Sequence, residues 1–99
     1  MEPEPQANGT WCVTVDPAWP GFAGHFPGNP LVPAALLVDW GLSILGQPAT
    51  LLRARFTAPL RPGDQALLTR TGLRIAISCR GLSVATLHFA SGAAPPPPR

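Results

Sequence analysis

The run VPAALLVDWGLSIL (residues 32–45) decides how this chain is organised. It is apolar nearly all round, too short and too interrupted to span a bilayer, and reads as one buried helix. Pro33 suits its first turn, where a missing N–H leaves nothing unbonded. Gly46 and Pro48 end it. Gly41 inside it costs about 1 kcal/mol relative to Ala and predicts the close approach of another backbone. One residue breaks the pattern: between Asp16 and Arg53, Asp39 is the only formally charged side chain.

After the helix the hydrophobic period changes to two. LLRARFTAPL (residues 51–60) puts Leu52, Ala54 and Phe56 on one face and Arg53 and Arg55 on the other. RPGDQ turns the chain, and ALLTRT, LRIAISC and LSVATLHFA follow as strands separated by Gly72 and by Arg80-Gly81. Before the helix, TWCVTVDP alternates as a strand that stops at Asp16-Pro17. AWPGFAGHFPGNP (residues 18–30) then holds three Pro and three Gly in thirteen residues, which forces a turn-rich loop. One strand, one buried helix and four further strands predict an α+β fold with a curled antiparallel sheet wrapped around a single central helix. The expected limits are a flexible amino terminus over 1–9, one domain over 10–92 and a Pro-rich disordered tail over 93–99.

Composition narrows the function. Ninety-nine residues make one domain that leaves much apolar surface uncovered, so pairing with a second chain is expected. The formal net charge of +2 comes with no basic run, which argues against a nucleic-acid partner. MEPEPQANG has no cationic segment leading into an apolar one, so the expectation is a cytoplasmic protein with no membrane attachment. Cys12, His25, Cys79 and His88 lie at no recognised metal spacing, and the two cysteines read as small, partly buried residues rather than a disulfide.

Three features could carry chemistry. With Pro33 at the helix start, the first free backbone donor is Ala34 N–H, reinforced by the positive end of the helix dipole, and it could hold a carbonyl oxygen as negative charge develops there. His25, on the loop entering that helix end, could take a carbon-bound proton near neutral pH. A carboxyl desolvated within an apolar helix, as expected for Asp39, favours its neutral form and can donate a proton. Base, acid and oxyanion donor suit removal of a proton α to a thioester with loss of a β-substituent. Plainer readings stand beside these: a loop histidine can be structural, and a mid-helix aspartate can bond to backbone or face a neighbouring chain.

GHFPGNPLVPAALLVDW (residues 24–40) resembles the signature of the hot-dog-fold 3-hydroxyacyl-[acyl-carrier-protein] dehydratases, over seventeen contiguous positions. ARFTAPLRPGDQ (residues 54–65) resembles a second segment of the same family. The VDW helix looks most like that of the small ApeI-like dehydratases of aryl-polyene and xanthomonadin-type pathways. The resemblance implies a hot-dog fold and a cofactor-free, metal-free dehydration of a (3R)-hydroxyacyl thioester to the trans-2-enoyl thioester. It implies His25 and Asp39 as catalytic residues, each site joining His25 of one subunit to Asp39 of the other. It also implies Gly28, Pro33 and Ala34 around the thioester oxygen, with Phe22, Phe26, Trp40 and Phe56 as tunnel walls. The implied partners are an acyl carrier protein bearing a phosphopantetheine-linked acyl chain and a second hot-dog subunit, identical or not. Arg53, Arg55 and Arg61 are candidate docking charges for the acidic carrier, or simply a solvated face. The sequence departs from the family in having Ala34 where Gly is usual, and many members have Glu at the position of Asp39. The alternatives are a non-catalytic hot-dog subunit that pairs with an active homologue, and an acyl thioesterase.

Overall fold

The period-two alternation after residue 48 and the turn chemistry between the strands build the sheet, against which the helix packs. The computed structural model describes residues 1–22 and 30–93. Among them, β1 (Glu4–Pro5) and β2 (Thr10–Thr14) precede a single 3-10 turn (Pro20–Phe22), helix α1 (Ala34–Leu45), and then β3 (Ala49–Phe56), β4 (Gln65–Thr71), β5 (Arg74–Cys79) and β6 (Leu82–Ser91). The strands form one antiparallel sheet in the order β1-β2-β4-β5-β6-β3, so the short β1 and the long β3 are its edges.

Val13, Ala66, Leu68, Ile75, Ile77, Ala85, Leu87 and Phe89 point from the sheet into the core, where they meet Leu37, Trp40, Ile44 and Leu45 of α1. Gly41 does mark a close approach, but by side chains rather than by backbone: a Cβ there would stand 3.0 Å from Leu87 Cδ1 and 3.1 Å from Phe89 Cζ. The helix begins two residues later than the sequence predicts, with Pro33 as its cap at ψ 147°. It ends where Gly46 takes φ 64° and donates its N–H to Leu42 O at 3.1 Å.

Two expectations change. Helix α1 is buried on one side only; Pro33, Ala34, Ala35, Asp39 and Ser43 are exposed, because a single chain supplies one sheet for one helix face. In β3 a bulge at Leu52 shifts the register, so that Leu51, not Leu52, lies opposite the inward Phe89, followed by Ala54 opposite Leu87 and Phe56 opposite Ala85. Within residues 1–9, Glu4–Pro5 pair with Trp11 and Cys12, and Met1 O accepts the Trp40 indole N–H at 3.3 Å. A buried indole needs such an acceptor, which composition does not reveal. The proline-rich end, from residue 94, lies outside the described residues.

Candidate active site

The start of α1 is held against the β3–β4 connection by one backbone bond, Val32 N–H to Leu60 O at 2.9 Å. That connection is itself fixed. Thr57 N–H donates to Val84 O at 2.8 Å and its hydroxyl donates to Ser83 O at 2.9 Å. In the Arg61–Asp64 turn, Pro62 precedes Gly63 at φ 86°, Asp64 N–H donates to Arg61 O at 3.0 Å, and the Asp64 carboxylate accepts Arg61 N–H at 2.9 Å. RPGD therefore works as a clamp that presents Thr57–Leu60 to the helix.

Between the two lies a cavity of about 320 Å³ lined by Val32, Ala34, Leu37, Phe56, Thr57, Ala58, Pro59 and Leu60. Ala34 is the first helical residue, and its N–H has no partner among the described residues. Helix ends leave such donors free, and the helix dipole adds a positive potential there. Ala34 has no positive φ, so the helix start makes no backbone demand that only glycine could meet.

Of the residues singled out in the sequence, Ala34 and Phe56 line the cavity. Pro33 caps the helix beside it. Trp40 is 2 % exposed, packed in the core and not part of the lining. Phe22 is half-buried and stacks edge-on to Trp19, with ring centroids 5.0 Å apart. Asp39 is exposed on the side of α1 opposite the packed face, away from its own sheet. His25, Phe26 and Gly28 lie outside the described residues. Arg53 and Arg55 stand together on the outer face of the sheet, whereas Arg61 belongs to the β3–β4 turn. Val32, Leu37 and Thr57–Leu60 were not predicted as lining residues. The signal for the last four was the RFTAPL segment itself, which reads as strand and turn until it is folded against the helix.

A six-stranded antiparallel sheet laid on one central helix defines the class as the hot-dog fold. A solved structure of that architecture, described as the dehydratase heterocomplex ApeI:P from Xenorhabdus doucetiae, superposes with a TM-score of 0.71 over 90% of this chain and 98% of its own, at 20% identity. A family model described as ApeI-like, the ApeI dehydratase, matches residues 2–78, and the chain belongs to that family. Among curated relatives, the 3-hydroxyacyl-[acyl-carrier-protein] dehydratase FabZ of Geotalea uraniireducens is 32% identical, the match covering 93% of this chain and 72% of the relative. The FabZ of Thermomicrobium roseum is 37% identical over 60% of this chain and 48% of its own. The match to the Thermomicrobium roseum protein, like that to a Caulobacter FabZ, thus spans about half the relative's length. Among the described residues, no helix is long and apolar enough to cross a membrane.

Proposed function

We propose that the chain dehydrates a (3R)-hydroxyacyl thioester, carried on an acyl carrier protein in the cytoplasm, to the trans-2-enoyl thioester. His25 takes the C2 proton, Ala34 N–H with Gly28 holds the thioester oxygen as charge builds on it, and Asp39 of a second subunit gives its proton to the departing C3 hydroxyl. The C3–O bond breaks, the C2=C3 bond forms and one water leaves. A positioned acid or base of this kind is worth about a hundredfold to ten-thousandfold in rate, and one oxyanion donor about a hundredfold to a thousandfold.

The observation that carries this reading is Ala34, which lines an apolar cavity and whose N–H has no partner among the described residues, with Asp39 on the same helix facing away from its own sheet. A carboxylate so placed needs a second chain to enclose it. The eight-residue edge strand β3, with Leu52 68% and Phe56 46% exposed, supports pairing of two hot-dog subunits. Arg53, Arg55 and Arg61 are the candidate charges for docking an acidic carrier.

The test runs the reaction backwards, since hydration of an enoyl thioester is usually favoured. Purified protein is incubated with short trans-2-enoyl carrier protein, and intact mass is followed. The expected result is a gain of one water with wild type and none with His25→Ala; retained activity in His25→Ala removes it as the base.

A second reading is supported by the likeness of this chain to a dehydratase heterocomplex, ApeI:P. In it this chain is a subunit that pairs with a different hot-dog protein and supplies walls and stability rather than turnover. Inertness of the folded protein alone, with activity appearing when a second subunit is added, would select it.

A further inference from the structure

The face of the sheet turned away from α1 carries a constellation that takes no part in the proposed chemical steps, although two of its members, Arg53 and Arg55, are among the candidate docking charges. The register sets Arg74 of β5 opposite His88 of β6, and His88 opposite Arg53 of β3; one step along, Thr86 lies opposite Arg55. The alternation that sends Ile75 and Leu87 into the core sends these five residues to the other side. Together Arg53, Arg55, Arg74, Thr86 and His88 line an open hollow of about 300 Å³.

With nothing bound, this arrangement works against the fold. Arg53 and Arg55 share the outer face of β3 and Arg74 faces them from across β6; like charges gathered on one face repel, and an arginine cannot shed its charge. Among the described residues, no carboxylate relieves them. Glu2, Glu4 and Asp16 border a separate hollow by β1 and β2, and Asp39 lies on the helix. Asp64 is in the β3–β4 turn, where it pairs with Arg80 at 3.3 Å. Two other arginines show what an occupied guanidinium looks like in this chain: Arg80 has that carboxylate, and Arg70 Nε donates to Gly72 O at 2.9 Å. Arg53, Arg55 and Arg74 have no such partner among the described residues.

We propose that Arg53, Arg55 and Arg74, with Thr86 and His88, bind a compact multivalent phosphate, a pyrophosphate or phosphate-ester group, on the outer face of the sheet. Guanidinium forks take phosphate oxygens two at a time, and the Thr86 hydroxyl and a His88 ring N–H can donate to those that remain. A ligand of several charges cancels the mutual repulsion of the three arginines, which a singly charged one does only in part. The hollow lies on the opposite side of the sheet from α1, so its ligand does not compete with an acyl chain beside Ala34. The inference does not rest on the dehydratase reading, and the hydration assay tests that reading separately.

The test titrates the full-length chain with inorganic pyrophosphate at low salt, by calorimetry and by melting temperature. One saturable site per chain is expected, with a rise in Tm on binding. Arg74→Gln should bind about tenfold to a hundredfold more weakly. Its Tm without ligand should equal or exceed that of wild type, since a repulsion has been removed; a merely structural arginine would give the opposite sign. Arg61→Gln, outside the cluster, should bind as wild type does.

Vesicles containing phosphatidic acid, whose phosphate monoester carries up to two charges, form a second arm. Arg74-dependent capture on vesicles that pyrophosphate fails to displace assigns the phosphate to a lipid headgroup, and displacement assigns it to a soluble ester. No saturable binding of either probe, or equal affinity in Arg74→Gln, overturns the proposal. So does an Arg74→Gln defect confined to carrier-protein binding, which would make this face a protein-docking surface.

Discussion

Helix α1 carries Leu37, Trp40, Gly41, Ile44 and Leu45 on one side and Ala35, Asp39 and Ser43 on the other, and only the first set is buried in the single chain. The first side is explained by what it touches: Gly41 admits Leu87 and Phe89, and Trp40 lies in the core with its N–H on Met1 O. Among the described residues, the second side touches nothing that would account for an aspartate in an apolar run. One side therefore answers to stability, and the proposed function gives the other to chemistry, so substitutions on the two should separate the two properties.

The largest separation is expected at Asp39. Asp39→Asn keeps the shape but cannot give a proton, so hydration of an enoyl thioester should fall about a hundredfold to ten-thousandfold, with Tm unchanged. A wild-type rate would break the comparison. Trp40→Ala, one residue along and on the packed side, should cost about 3–5 kcal/mol in denaturant unfolding. Little loss there would mean that the core does not depend on that ring.

Gly41→Ala sharpens the same side. Crowding of the buried Leu87 and Phe89 costs about 1–3 kcal/mol, and the gain in helix propensity returns about 1 kcal/mol, so a net loss near 1 kcal/mol is expected. Stabilisation would show that β6 yields more readily than its packing implies. Ser43→Ala, exposed on the open side, should shift stability by less than about 0.5 kcal/mol in dilute monomer. A larger loss that grows with protein concentration would place Ser43 inside an interface between chains.

The element order after residue 9 was legible because each segment obeys its own period and is bounded by glycine or proline. The start of β3 was not. LLRARF alternates cleanly, yet the bulge at Leu52 exchanges Leu51 for Leu52 in the inward row, and the pairing with β6 sets that shift rather than any residue within β3. The sequence exposed Asp39 as an isolated charge but read the helix as buried all round, since apolar residues on the open side look the same whether they await their own sheet or another chain. The cavity was half legible. Ala34 and Phe56 follow from the helix start and the second motif, whereas Val32 and Leu60 join it through one backbone bond that no local pattern announces. The anion hollow was least legible, because Arg74 lies nineteen or more positions from Arg53 and Arg55 and meets them only through β6.

The inequality of the two sheet edges has a consequence for assembly. β1 offers two residues to an incoming strand and β3 offers eight, so strand addition has in practice one direction open to it. Two chains that join through β3 use up the long edge of each and leave only the short ones outward. Association of that kind is self-terminating: it stops at a closed pair, and the hydrogen-bonding groups that could otherwise seed a fibre are spent in forming it.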